Sequence, residues 1–205
     1  MFSGIVKGVG RILELRDLGG DRRAVISYAG VPLGRPAIGA SIAVNGVCLT
    51  AVGVTDERFE ADVSAETLAV TALGDYPPGA NVNLEASLRL GDPLDGHLVS
   101  GHVDGVGRVI AIEPAARSAA IAIEAPAGLA RFIAIKGSVA IDGVSLTVNR
   151  ADGQRFEVNV VPHTREVTII GGYRVGTAVN IEVDMLARYV ERMLAALKAA
   201  PSAGC

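Results

Sequence analysis

Ser100-Gly-His-Val-Asp-Gly-Val-Gly-Arg108 repeats an earlier stretch of the same chain, Ser3-Gly-Ile-Val-Lys-Gly-Val-Gly-Arg11. The two differ only at Ile5/His102 and Lys7/Asp104, and Gly4 and Gly101 set an offset of 97 residues. Working outward, the offset holds without a gap. Ser41-Ile-Ala-Val-Asn-Gly-Val-Cys-Leu-Thr50 falls on Ser138-Val-Ala-Ile-Asp-Gly-Val-Ser-Leu-Thr147. Phe59-Glu60 falls on Phe156-Glu157, Thr67 on Thr164, Tyr76 on Tyr173, and Val82-Asn83 with Glu85 on Val179-Asn180 with Glu182. Solenoid units repeat every ~20–50 residues, so this spacing means two copies of a whole domain. Each copy is about 90 residues, enough for a small core of its own. The expected boundaries are 1–97, 98–184, and a tail from 185 to 205.

Half of the 205 residues are hydrophobic and the net charge is −3, the composition of a globular protein. An acidic balance and few aromatic residues give no basis for nucleic-acid binding. No apolar run reaches the ~18 residues of a membrane span, so no membrane partner is expected. The opening Met-Phe-Ser-Gly lacks the basic and apolar regions of a secretory signal. Two cysteines, Cys48 and Cys205, do not make a disulfide framework, and a cytoplasmic location is expected.

Short apolar runs rich in Val and Ile recur in each copy: Ala24–Ser27, Ser41–Val44, Val47–Val54, Arg58–Val63 and Asn81–Leu84 in the first. Turn residues separate them, a pattern of sandwiches and barrels. Asn45-Gly46 and its counterpart Asp142-Gly143 suit the two positive φ angles of a tight hairpin turn. Helical turns are expected at Ala65–Leu73, capped by Ser64, and at Pro162–Ile170, opened by Pro162. The recurring glycines at Gly4, Gly8 and Gly10, and at Gly101, Gly105 and Gly107, serve either bulges at a barrel corner or a bare backbone that a flat ligand can approach. Their spacing is not that of a dinucleotide fingerprint. Leu88 to Leu98 links the copies. After it, Asp184 can cap a helix beginning at Met185, with Leu186, Val190, Met193 and Leu197 forming one apolar stripe. That helix should stop near Pro201 and leave a frayed end. Its stripe either folds back on a barrel or packs against copies of itself, and a heptad-like spacing favours the second.

Two related units imply two related pockets, and the informative positions are those where the copies disagree. Cys48 stands opposite Ser145, Ile5 opposite His102, Asp62 opposite Asn159, and Glu66 opposite His163. Each has an ordinary reading: a cysteine in an apolar strand is usually a buried, inert thiol, and His102 between small residues could be a surface histidine. Three histidines without a close Cys/His pair make a poor metal site, so neither metal nor cofactor is expected.

The blocks Met1-Phe-Ser-Gly-Ile-Val6, Asn45-Gly-Val-Cys-Leu-Thr50, Gly96-His-Leu-Val-Ser-Gly-His-Val103 and Asp142-Gly-Val-Ser-Leu-Thr147 closely resemble the riboflavin synthase alpha-chain family. The resemblance extends over the whole chain, including Ala187-Arg-Tyr-Val-Glu-Arg192 in the tail. It implies an all-β chain of two similar six-stranded Greek-key barrels from an internal duplication, followed by a C-terminal α-helix through which three chains associate. It implies dismutation of two 6,7-dimethyl-8-ribityllumazine molecules, by four-carbon transfer, to riboflavin and 5-amino-6-ribitylamino-uracil. Each complete site would need barrels from two chains.

Residue by residue, the resemblance places lumazine against Gly4, Ile5 and Val6, against Cys48, Leu49 and Thr50, and against Asp62, Val63, Ser64, Ala65, Glu66 and Thr67 in the first barrel. In the second it implies Gly101, His102 and Val103, Lys136, Ser145, Leu146 and Thr147, and Asn159, Val160, Val161, Pro162, His163 and Thr164. Backbone near Gly4 and Gly101 would meet the ring, Thr50 and Thr147 its polar edge, and Asp62 and Asn159 the ribityl hydroxyls. His102 is the candidate base for the acidic methyl at C7, since an unperturbed histidine titrates near neutrality. Cys48 and Ser145 are candidates to add to or polarise the partner ring, with Ser41 and Asp142 positioning them. A non-catalytic lumazine- or flavin-binding antenna is the nearest rival, though Cys48, His102, Ser145 and Thr147 together favour the enzyme. A flavin-reductase-like barrel lacks its Arg-x-Tyr-Ser motif here.

Overall fold

The computed structural model describes residues 1–199. Twelve strands form two closed barrels. The first contains β1 (Gly8–Asp17), β2 (Arg22–Ser27), β3 (Ser41–Val44), β4 (Val47–Val54), β5 (Arg58–Val63) and β6 (Asn81–Ala86). The second contains β7 (Gly105–Ala115), β8 (Ser118–Glu124), β9 (Ser138–Ile141), β10 (Val144–Asp152), β11 (Arg155–Val160) and β12 (Ala178–Val183). The first closes in the order β1-β2-β5-β4-β3-β6, and the second repeats that order. All pairings are antiparallel; β3-β4-β5 is a meander with β2 returning beside β5, which is a Greek key.

Alternation explains why each barrel is filled. On β4, Val47, Leu49 and Ala51 are buried while Thr50 is exposed, and β10 repeats this with Val144, Leu146 and Val148 inside and Thr147 outside. Phe59 and Phe156 plug the two interiors. Closure requires the strands to coil, and register shifts occur at matching places: between Ile12 and Glu14 on β1 and between Val109 and Ala111 on β7. The hairpin turns have the expected geometry, with φ of 45° and 77° at Asn45 and Gly46 and 44° and 78° at Asp142 and Gly143.

The expected helical turns are each shorter than read. α1 (Ala65–Val70) gives way at Thr71 to a 3-10 turn, Ala72–Asp75, and α2 (Pro162–Val167) gives way at Thr168 to Ile169–Gly172. Both threonines are extended, and each hydroxyl caps the second turn. Ser64 caps α1 through Thr67 N–H, and Pro162 opens α2. A 3-10 turn at Ala127–Phe132 has no counterpart in the first copy. Asp184 Oδ1 accepts from Leu186 N–H at the start of α3 (Met185–Ala199). Ion pairs Arg188–Asp104 (3.0 Å) and Arg131–Glu191 (3.4 Å) tie α3 to the second barrel. Leu186, Val190, Met193 and Leu197 all remain exposed. The expected helix stop near Pro201, the frayed end and Cys205 lie outside the described residues.

The barrels share a quasi-twofold junction. Asn83 Nδ2 donates to Asp142 O (2.9 Å), and Asn180 Nδ2 donates to Asn45 O (2.8 Å). Gly46 and Gly143 pass so closely that a Cβ on either would lie within 2.8 Å of the other's backbone nitrogen.

Candidate functional site

The segment that opens each copy crosses to the other copy's barrel. Ser145 N–H donates to Gly4 O (2.8 Å), and Cys48 N–H donates to Gly101 O (2.9 Å). Both glycines have φ near +80°, and a Cβ on either would sit 2.6 Å from the Cβ of Ser145 or Cys48. Val6 packs on the second core and Val103 on the first. The expected grouping is therefore exchanged. Gly4, Ile5 and Val6 lie with Ser145 and Thr147, whereas Gly101, His102 and Val103 lie with Cys48 and Thr50. The crossing is held by two buried glutamates. Glu85 accepts from Ser3 N–H, Ser3 Oγ–H and Gly4 N–H, and Glu182 accepts from the same groups of Ser100 and Gly101. Burial raises the Glu85 pKa, partly opposed by those donors. The sequence marks these residues, since Ser3/Ser100 and Glu85/Glu182 are identical pairs at the common offset, but it does not mark the crossing.

Each group forms an outward-facing patch. On the first barrel, half-buried Cys48 and exposed Thr50 project from β4 beside Asp62 of β5, with Ser64, Ala65 and Glu66 exposed at the start of α1 and Thr67 half-buried. His102 is exposed on the crossing segment. On the second barrel, Ser145, Thr147, Asn159, Val161, Pro162, His163 and Thr164 occupy matching places, and Ile5 replaces His102. Both patches are open surfaces, so a flat ligand would lie on the outside of a filled barrel.

Four expected contacts change in kind. Leu49, Val63, Leu146 and Val160 are buried in the barrel interiors, so only their backbone can reach a ligand on the outer face. Asp62 is not a free carboxylate: Arg23 Nε and an Arg23 terminal nitrogen donate to its two oxygens at 2.8 and 3.0 Å. That hydrogen-bonded guanidinium lowers the Asp62 pKa. Asn159 instead accepts from Ser118 Oγ (2.9 Å), and Ala120 replaces Arg23 across the strand pair. Ser41 lies opposite Thr50 on β3, within reach of the first patch. Lys136 is exposed, in a left-handed turn whose N–H donates to Val148 O.

Asp142 differs most from its expected place. It is sealed in the junction, where Tyr173 O–H and Asn180 N–H donate to its carboxylate. Burial pushes its pKa up to about 7 against those donors. It cannot position a group on an outer face by touching it; it holds the turn whose next strand carries Ser145. Its counterpart Asn45 performs the same task uncharged, its Nδ2 donating to the Tyr76 phenolic oxygen and its Oδ1 accepting from Asn83 N–H. His97 joins the second patch, its Nδ1 2.7 Å from Ser145 Oγ.

The lumazine-binding domain family matches this chain twice, over residues 3–87 and 100–184. The riboflavin synthase of Photobacterium phosphoreum is 44% identical over 194 residues, covering 95% of this chain and 89% of that protein. The chain belongs to the riboflavin synthase family. The riboflavin synthase of Mycobacterium bovis is also 44% identical, over 204 residues, covering 95% of this chain and 98% of its own. Among solved structures, LumP complexed with riboflavin superposes with a TM-score of 0.80 at 25% identity, over 89% of this chain and 99% of that one. Membership accounts for the duplication, because one barrel matches one lumazine-binding domain.

Proposed function

We propose that this chain is a riboflavin synthase that joins two 6,7-dimethyl-8-ribityllumazine molecules, moving four carbons from one to the other to leave riboflavin and 5-amino-6-ribitylamino-uracil. The observation that carries this reading is the pair of matching outer patches whose reactive side chains differ. One compound used twice, as donor and as acceptor, calls for two sites of one shape and two chemistries. The crossing gives the first patch Cys48 with His102 and the second Ser145 with His97. His102 accepts the proton when the C7 methyl C–H bond breaks, and the carbanion is delocalised into the pteridine ring. Holding the partner ring against it supplies much of the acceleration, since well-oriented pairs reach effective molarities of about 10⁵–10⁸ M.

The patches are open, so the ring pair is enclosed when the first barrel of one chain meets the second barrel of another. The exposed stripe on α3 supports a homotrimer as the assembly that brings them together. A free, half-exposed thiol at Cys48 suits a reducing compartment, and we infer the cytoplasm. The test is to mix purified protein with the lumazine alone and follow riboflavin absorbance. The likeness to riboflavin-bound LumP favours one alternative, a binding protein without turnover. Tight binding of lumazine with no riboflavin formed, at any protein concentration, would establish that alternative and refute the enzyme.

A further inference from the structure

His97 is built into the second patch. Its N–H donates to Ser3 O (3.1 Å), and the preceding Gly96 is packed so tightly that a Cβ there would collide with that carbonyl and lie 3.0 Å from Ser145 Cβ. The ring is thus fixed from its own backbone, with Nδ1 at 2.7 Å from Ser145 Oγ. Desolvation lowers its pKa, opposed in part by Asp184 and Glu182, which favours the neutral ring. Its other nitrogen, Nε2, is sealed from water and has no hydrogen-bond partner among the described residues. On Nε2 the ring proton would be a buried donor with no acceptor, whereas on Nδ1 it faces Ser145 Oγ at 2.7 Å. The single ring proton therefore belongs on Nδ1, which donates to Ser145 Oγ. Ser145 keeps its own O–H for a ligand. Cys48, in the matching position, is a free thiol with no comparable histidine bonded to it among the described residues.

We propose that His97 is a positioning residue that fixes Ser145 as a hydrogen-bond donor to the pteridine on the second barrel, a carbonyl oxygen or ring nitrogen being the acceptor. This rests on the reading that the outer patches bind lumazine. It makes the two sites chemically unequal: the ring on the second barrel is polarised by a preset hydroxyl, and the ring on the first is not.

Turnover of lumazine by the parent protein comes first, because its failure would remove the enzyme reading and leave the ring geometry untouched. Nitrogen-15 NMR of the His97 ring then reads the tautomer directly. A protonated Nδ1 with a bare Nε2 is expected, and the reverse overturns the proposal. His97→Leu should lower kcat about tenfold, the scale of one hydrogen bond. His97→Asn, which places an N–H where Nδ1 stood, should recover most of it. Ser145→Ala should match His97→Leu, and the double variant should be no worse than either. Additive losses, or a His97→Leu protein that turns over like the parent, would show that the ring does not act through Ser145. Should His97→Leu fail to fold, the tautomer measurement on the parent decides alone.

Discussion

Gly101→Ala tests the crossing of the chain between barrels, the contact that groups the site residues. Gly101 has φ +80°, and a Cβ there would lie 2.6 Å from Cys48 Cβ and 3.0 Å from the buried Phe2 ring. It cannot retreat, because its N–H is held by Glu182 at 2.9 Å and its carbonyl by Cys48 N–H at 2.9 Å. Two costs add. The left-handed conformation costs a residue with a Cβ about 1–2 kcal/mol, and overpacking costs about 1–3 kcal/mol more. Gly79 is the control, since its φ is +90° with nothing within 4 Å of a new Cβ. Gly79→Ala should cost only the first amount. A chain of this length loses roughly 2–4 °C in Tm per kcal/mol, which gives roughly 4–20 °C for Gly101→Ala against roughly 2–8 °C for Gly79→Ala. Calorimetry and urea titration measure both. The same scans should show one transition for the parent, because each barrel is hydrogen-bonded to the opening segment of the other copy. If Gly101→Ala is no more destabilising than Gly79→Ala, the crossing segment yields freely and the close packing argued from it is wrong.

Asp142→Asn should flatten the pH dependence of stability. The folded carboxyl titrates at about 7 and the usual value is 3.8, so between those limits the folded state holds a proton that the unfolded state has released. Stability therefore falls as pH rises through that window, by roughly 1 kcal/mol per pH unit, and levels off above it; urea titrations of the variant between pH 4 and 8 should lose this slope and gain stability at pH 8. His102→Gln should lower turnover roughly 10²-fold with little change in lumazine affinity, and deuterium exchange at the C7 methyl should slow with it; unchanged exchange across pH 6 to 8 would remove His102 as the base. Leu186→Asp with Val190→Asp should give monomers by sedimentation that bind lumazine weakly and do not turn it over; an oligomer that survives both changes would refute α3 as its contact.

Much of the fold could be read because local chemistry dictates it. Val47 to Val54 alternates between barrel interior and surface, and Asn45-Gly46 and Asp142-Gly143 are among the few pairs that accept two positive φ angles. Sequence pattern makes the helical turns too long because Thr71 and Thr168 look like ordinary members of an apolar run; only their extended backbone splits them. What the sequence hid was long-range. Nothing near Gly4 says that it pairs with Ser145, since a segment adjacent to its own β1 is the simpler reading. The Arg23–Asp62 pair joins two strands across a register that periodicity alone does not set. Asp142 shares the block 142–147 with Ser145, which suggests a place at the site, yet the tight turn points it into the junction.

The crossing also explains which residues the two copies share and which they vary. Ser3/Ser100, Gly4/Gly101, Asn83/Asn180 and Glu85/Glu182 are identical, and all of them act where one copy meets the other. A contact between the copies needs both of its halves, so a change on one side leaves a buried donor or acceptor without its partner, at about 1–3 kcal/mol; Asn45 and Asp142 differ at the junction because their side chains bond within their own copy, to Tyr76 and Asn83 and to Tyr173 and Asn180. The outer patches have no such constraint. Cys48/Ser145, Ile5/His102, Asp62/Asn159 and Arg23/Ala120 all differ there. Had each opening segment stayed on its own barrel, His102 would stand beside Ser145 and His97, and Cys48 would face Ile5 with no histidine on its patch. Exchange of the segments sets a different histidine near each reactive side chain: exposed His102 on the patch of the thiol, and half-buried His97 at 2.7 Å from the hydroxyl. The unequal sites that a dismutation requires thus follow from one backbone crossing and a few substitutions, while the shared contacts that hold the barrels together remain paired.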